Sequence, residues 1–397
     1  MSLNKGLGQF YTQQAISNLL VSQIFNTEPK TIIELSAGNG SLVTAATQRW
    51  SNASIIAVDI DRKNIAELRK SHPNCNSYHL NALNNQLYKK TNIDSANVDI
   101  AIGNPPFLSI LPNKKILSIL SKAGLDKCFK PNNKISTELV FLAQNLQLLR
   151  TGGELAIILP DGLLTGHNHQ LLRENLIKTH NVRCIIQLPD NVFTNTEART
   201  HILVLEKNGI NKDQKVTLLK ADELGNLSNK IYISFEEAIQ RLDYDFYSWK
   251  QSTNFGTRTI LKHFTGNITR GNVNATALKK LGVTQYIHTS SFNHKKGIEV
   301  SQTAPNKYTH PYKTAVAGDI LVPRVGKRCL SGSILITQGE HIITDTVLRI
   351  RAPKEHIDKI WTSISSSKGA DWRVAHAHGV CAQVLSKTDL LQFPIEI

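Results

Sequence analysis

Long apolar runs are missing from this chain of 397 residues. Nothing in it approaches the roughly 18 uninterrupted apolar residues of a membrane-crossing helix, so no membrane span is expected. The opening MSLNKGLGQFYTQQ has no apolar core of the kind a secretory leader needs, and a cytoplasmic location is the expectation. Cysteine is scarce as well. The five (Cys75, Cys128, Cys184, Cys329 and Cys381) are odd in number, widely spaced and without a CxxC pair. That excludes a disulfide framework or a zinc site and reads as reduced thiols. No GxxxxGK[ST] sequence is present, so nucleotide hydrolysis has no support. A dinucleotide fingerprint needs a third glycine three residues after the second, and after Gly38 and Gly40 that position is Val43.

Acidic residues are also short in number: 31 Asp and Glu stand against 46 Lys and Arg, a net charge of +15. The deficit is concentrated. Residues 250–397 hold 20 basic and 9 acidic side chains, against 26 and 22 in residues 1–249. A strongly basic module attached to a nearly neutral one fits a nucleic-acid clamp joined to a catalytic domain. The length suggests two or three domains. A break in pattern near RLDYDFYSW and KQSTNFGTRT marks a hinge, giving expected domains 1–245 and 246–397.

Within the first part, apolar strands at Thr31–Leu35, Ser54–Val58, Val98–Ile102, Leu155–Leu159 and Cys184–Leu188 alternate with helical spacing at 13–25, 41–50, 63–71 and 137–150. His201–Lys207 completes a hairpin. The alternation predicts an α/β fold with a doubly wound, mostly parallel sheet. The second part carries short strands such as Asp319–Val322 and Ser333–Ile336, with a Ser386-x-x-Asp389 helix start near the end, and an α+β module is expected.

The tetrad Asn104-Pro105-Pro106-Phe107 follows the strand VDIAIG, at the carboxyl end where such sheets bind ligands. Two prolines fix the backbone there. An amide oxygen beside the Pro105 carbonyl can accept both hydrogens of an exocyclic amine, and the Phe107 ring can stack on the base carrying it. Upstream, IIELSAGNGSL resembles the S-adenosylmethionine-binding motif of class I methyltransferases. Gly38 and Gly40 allow backbone N–H groups close to a ligand, Ala37 lies in the same turn, and Glu34 ends the strand. Asp59, ending the next strand, is placed to accept from ribose hydroxyls.

The chain as a whole resembles the gamma group of DNA adenine-N6 methyltransferases, over about residues 5–210. GLGQFYT (6–12) is similar to the N-terminal motif of that family, which implies that Thr12 helps bind the methionine end of S-adenosylmethionine. RTGGELAIILP (150–160) is similar to a family strand, and Phe141 falls where the family packs a phenylalanine on the cofactor's adenine. LPDNVFTNTEARTHILVLEK (188–207) is similar to the late motif, which implies that Phe193 stacks on the extruded target base opposite Phe107. Asn81 occupies the position where the family offers Asp to the cofactor's adenine amine, and Gln13 replaces a usual Pro. GDILVPRVG (318–326) and KTDLLQFPIEI resemble, less specifically, the target-recognition domains of type I specificity subunits.

The implied activity is transfer of a methyl group from S-adenosylmethionine to adenine N6 in double-stranded DNA, by base flipping and direct displacement. No metal is called for, and a cognate restriction endonuclease is a candidate partner. None of the cysteines follows a proline, so the Pro-Cys nucleophile of cytosine-C5 enzymes is absent. Arg324, Lys327 and Arg328, in one Gly-flanked loop, are the candidate DNA contacts. Competing readings are an RNA or a protein-glutamine N-methyltransferase and a non-catalytic DNA-specificity protein. A fused nuclease would rest on Pro189-Asp190 with Glu197-Ala198-Arg199, which the late motif already accounts for and which lacks the usual lysine.

Overall fold

The structure is a computed structural model that describes residues 12–93, 96–129, 133–190, 192–193, 199–252, 259–292, 298–300, 312–378 and 383–395. The chain divides into two compact units, Met1–Tyr244 and Asp245–Ile397.

In the first unit, α1 (Gln14–Ser22) precedes β1 (Thr31–Glu34), α2 (Ser41–Arg49), β2 (Ser54–Asp59), α3 (Arg62–Ser71), β3 (Asn76–His79) and β4 (Val98–Gly103). A short hairpin of β5 (Ser109–Ile110) and β6 (Ile135–Ser136) encloses the intervening helix α4 (Lys114–Lys122) and leads into α5 (Thr137–Leu148). Strands β7 (Leu149–Pro160), β8 (Asn181–Gln187), β9 (Thr200–Glu206), β10 (Lys215–Lys220) and β11 (Ile231–Ser234) complete one nine-stranded sheet. Its order is β11-β10-β8-β9-β7-β4-β1-β2-β3. The pairs from β7 through β3 are parallel, whereas β9 runs antiparallel to both β7 and β8. This is the mostly parallel, doubly wound sheet that the alternation of strands and helices predicts, with two further strands beyond β8.

The strands β1, β4, β7 and β9 are buried nearly throughout, which is why they read as continuous apolar runs rather than alternating ones. Strand β3, NSYH, did not stand out in the sequence because an edge strand with one buried residue carries no such run. The strand order reverses between β1 and β4, opening a crevice at their carboxyl ends.

The second unit has a five-stranded sheet of β12 (Ile268–Arg270), β13 (Ile298–Val300), β15 (Ile320–Pro323), β16 (Ile334–Ile336) and β18 (Val347–Ile350), in the order β12-β18-β15-β16-β13. A small ladder of β14 (Thr314–Val316) and β17 (Glu340–Ile342) lies apart from it. The helix Lys354–Ser365 and the helix Ser367–His376 pack on the larger sheet through Ile360, Ile364 and Trp372. Arg373 is fully buried, and its guanidinium donates to the carbonyls of Gly332, Ser331, Ile364 and Gly369 at 2.6 to 3.2 Å. Ser386 and Asp389 form the capping box their spacing announced. The aromatic stretch read as a break in pattern is in fact a helix, Tyr244–Ser252, whose Phe246 and Trp249 meet His376 edge to face.

Candidate active site

The crevice at the strand reversal is a cleft of about 840 Å³, open to solvent. Gly38, Asp59, Asn81, Phe141, Asn104 and Pro106 line it, together with the apolar Ile60, Leu83, Leu108 and Ile110. Five parts of the sequence, the segments after β1, β2, β3 and β4 and the start of α5 with Thr137 and Phe141, thus reach one space.

At one end the turn after β1 is shaped by a carboxylate. Asp59 Oδ2 accepts from Gly38 N–H at 2.7 Å and Oδ1 from Asp61 N–H at 2.7 Å. Each carboxylate oxygen retains a second lone-pair site for a hydroxyl of a ligand. Gly38 and Gly40 both have positive φ, 53° and 81°. Gly40 does not face the cleft. A Cβ there would lie 2.5 Å from Leu68 Cδ1, so its smallness serves the packing of α2 on α3. Ala37 is buried, its N–H on the Val58 carbonyl at 3.0 Å, and it too is absent from the cleft wall. Asn81 lines the wall, but its Oδ1 accepts from Leu83 N–H at 2.9 Å, closing a tight turn.

Glu34 is buried at the end of β1. Burial first, and Asp59 second, push its carboxyl well above the ordinary carboxylate range. Its Oε2 has no hydrogen-bond partner among the described residues. An unmet buried acid beside Asp59 suits a ligand that brings a positive charge, because ionising Glu34 then becomes favourable. The residue types lining the cleft suit S-adenosylmethionine, with the apolar Ile60 and Phe141 and the Asp59 carboxylate in its wall; Glu34, like Ala37, is not among the lining residues.

At the other end stands the tetrad. Asn104 Nδ2 donates to Thr12 Oγ1 at 3.1 Å, which fixes the amide's orientation, and its backbone carbonyl accepts from Ser36 Oγ at 3.1 Å. Thr12 is not among the residues lining the cleft, and its hydroxyl accepts from Asn104. Pro105 is buried; Asn104, Pro106 and Phe107 are half-buried. Thr137 Oγ1 bonds to the Pro106 carbonyl and accepts from Leu108 N–H at 3.2 Å. Phe107 and Phe193 are neighbours, with ring centroids 6.3 Å apart and planes at 88°. Two parallel faces, as the sandwich expectation requires, are not what is seen: the rings meet edge to face, and Phe193 is buried in the core. One ring must turn for a base to lie between them.

Further side chains make contacts that their sequence positions did not announce. Gln13, the departure from the family pattern, donates from Nε2 to the Val192 carbonyl at 3.1 Å and so ties the N-terminal segment to the late motif. Past the end of β7, Asp161 and His201 of β9 pair at 3.0 Å with both side chains fully buried. Burial would raise the Asp161 carboxyl, but the hydrogen bond and charge of His201, with Arg199 and Arg241, outweigh it and hold the carboxyl well below its usual range. Asp190 lies 3.8 Å from Arg199, an ion pair rather than a metal cradle, and no group of metal-ligating side chains occurs among the described residues. Residues 6–11 of the N-terminal motif, and 191 and 194–198 of the late motif, lie outside the described residues, as does Cys381.

In the second unit, Arg324 ends just past β15 with its N–H on the Thr346 carbonyl at 2.8 Å, and Lys327 and Arg328 open a 3-10 turn, Lys327–Leu330. Lys327 is exposed, and the other two are half-buried. Burial, then Arg270, lowers the Arg324 guanidinium.

A family model described as N-6 DNA methylase matches residues 2–295, three quarters of the chain. The chain belongs to the N-6 DNA methylase family. Its members take their methyl group from S-adenosylmethionine. The methylase subunit of the type I restriction enzyme MpnII of Mycoplasma pneumoniae is 25% identical over 271 residues, covering 63% of this chain and 49% of that protein. The type II methyltransferase M.BsuBI of Bacillus subtilis is 25% identical over 287 residues, covering 65% and 54%. This chain thus spans about half the length of these curated relatives. Among solved structures, the type IIG restriction endonuclease BpuSI aligns over 97% of this chain and 57% of its own, with a TM-score of 0.50 at 13% identity, a likeness of fold. No helix among the described residues is long and apolar enough to cross a membrane.

Proposed function

We propose that this N-6 DNA methylase is a site-specific DNA methyltransferase acting on the N6 amine of adenine in duplex DNA, within a restriction–modification system. The observation that carries the reading is the single cleft joining Asp59 at one end to Asn104 at the other. S-adenosylmethionine supplies the methyl group, taken by direct displacement. The chain's own residues prepare the acceptor. The Asn104 side-chain oxygen and the Pro105 carbonyl take the two N6 hydrogens. That favours a pyramidal nitrogen with its lone pair toward the cleft and stabilises the positive charge developing on it. Aligning the reacting groups contributes up to ~7–11 kcal/mol at the limit of good orientation.

A duplex adenine must first leave the stack, at a cost of a few kcal/mol. Phe107, with Phe193 once a ring has turned, offsets this by stacking worth ~1–3 kcal/mol per base. The basic second unit supplies phosphate contacts and sequence readout, with Arg324, Lys327 and Arg328 as its candidate contacts. A cognate restriction endonuclease is the proposed biological partner.

Mapping modified bases in DNA from cells expressing the full chain tests the reading, with Asn104→Ala as control. N6-methyladenine at one sequence context, lost in the variant while calorimetry still shows cofactor binding, is the expected result. Wild-type transfer by Asn104→Ala removes the catalytic assignment, and methylation of RNA or protein alone removes the substrate.

A further inference from the structure

Thr137 is the first residue of α5, is 2% exposed, and sits 29 to 31 positions downstream of the loop it touches. The β5–β6 ladder brings it there: Ser109 pairs with Ser136 and Ile110 with Ile135, and Thr137 N–H then donates to the Leu108 carbonyl at 2.9 Å. Phe107 is the next residue outward. Around it the Thr137 hydroxyl makes two contacts, donating to the Pro106 carbonyl before the phenylalanine and accepting from the Leu108 N–H after it. Both peptide groups flanking Phe107 are thereby tied to one oxygen atom.

We propose that Thr137 is a positioning residue for the tetrad, fixing the direction of Phe107 and the Pro106 peptide through this one bridging hydroxyl; the proposal rests on the methyltransferase reading above. A hydroxyl has a single proton to give. Three acceptors surround it: the Pro106 carbonyl is nearest, followed by Glu138 Oε2 at 3.3 Å and the Leu108 carbonyl at 3.4 Å. Glu138 is the rival of consequence, because an ionised carboxylate accepts more strongly than an amide carbonyl. Burial pushes the Glu138 acid up to about 7, which weakens it as a competitor, and the Pro106 carbonyl remains the nearest acceptor of the Thr137 proton. The β-branch of threonine restricts χ1 and keeps the oxygen in place.

The test uses the full chain and unmethylated plasmid DNA, with labelled S-adenosylmethionine. Thr137→Val keeps the shape and removes both hydrogen bonds; Thr137→Ser keeps the oxygen. We expect kcat to fall tenfold or more in Thr137→Val, with the calorimetric cofactor Kd within twofold of wild type, and Thr137→Ser to recover activity to within threefold. Thr137→Ala gives the same readout should the valine variant fail to fold. Wild-type kcat in the valine or alanine variant overturns the assignment. So does a serine variant as impaired as valine, or a parallel loss of cofactor affinity, which would make Thr137 a cofactor contact. Absence of transfer by the wild-type chain overturns the methyltransferase reading and this assignment with it; the other outcomes leave that reading standing.

Discussion

At the Asp59 end of the cleft, the hydrogen bonds that shape the site join residues 2 and 21 positions apart, across one strand-turn-helix-strand unit. At the Asn104 end they come from 31, 68 and 92 positions away, through Thr137, Ser36 and Thr12. The Asp59 end is thus nearly self-contained, built by two adjacent parallel strands and the segment between them. The Asn104 end is a loop with little structure of its own, held by neighbours on three sides. A cofactor pocket can be inherited as a local motif, whereas orienting one amide and one ring demands the assembled domain.

That contrast can be broken from either side. The largest effect is expected at the local end. Asp59→Ala leaves two backbone N–H groups without their carboxylate, and charge-assisted bonds of this kind contribute roughly 1.5–3 kcal/mol each. Cofactor Kd measured by calorimetry should rise by about a hundredfold; a change under threefold would show that the turn holds itself without Asp59.

Next comes the assembled end, where Glu138 links stability to pH. Its folded-state value of about 7 lies above the ordinary 4.5, so the folded chain binds the proton more tightly than the unfolded one. The associated stability is fully present below pH 4.5 and is lost as pH rises through 7, about 3 kcal/mol in all. The raised Glu34 acid adds in the same direction. Glu138→Gln should match wild type near pH 4.5 and exceed it above pH 7 in thermal denaturation. Parallel curves for the two proteins would remove the linkage.

A smaller cost is expected at Gly40, where alanine meets both the left-handed backbone and Leu68. The penalty should be about 1–2 kcal/mol, seen as a midpoint lowered by roughly 2–6 °C. No shift would mean that α2 and α3 repack freely. Smallest in free energy, and confined to the second unit, is neutralisation of Arg324 and Lys327 together. DNA binding should weaken a few-fold, and the slope of log affinity against log salt should flatten by about 2. An unaltered slope would take this loop out of the DNA interface.

Much of the first unit was legible because its core strands are buried on both faces and helices such as Arg62–Ser71 bury one face, so the apolar pattern marks them; Thr137–Leu148, expected to be amphipathic, is buried nearly all round instead. The Gly38, Asp59 and Asn104 positions were legible for the same reason: each lies at the end of such a strand. Gln13 and Thr137 were not. Gln13 looked like a mere departure from a family pattern until its amide was found on Val192, 179 positions away. Thr137 looked like an ordinary helix start. The arrangement of Phe107 and Phe193 was half legible, their adjacency foreseen and their edge-to-face contact not, since side-chain packing in a crowded core decides ring orientation.

By itself the sequence determined which segments become strands, where those strands end and which chemical groups stand there, because burial and turn chemistry act over a few residues. Only the tertiary structure decided which distant side chains clamp the Asn104 loop, that Thr12 meets the Asn104 amide, and that Gly40 packs against Leu68. Those outcomes depend on hydrogen bonds and contacts whose partners meet only after the chain has closed on itself.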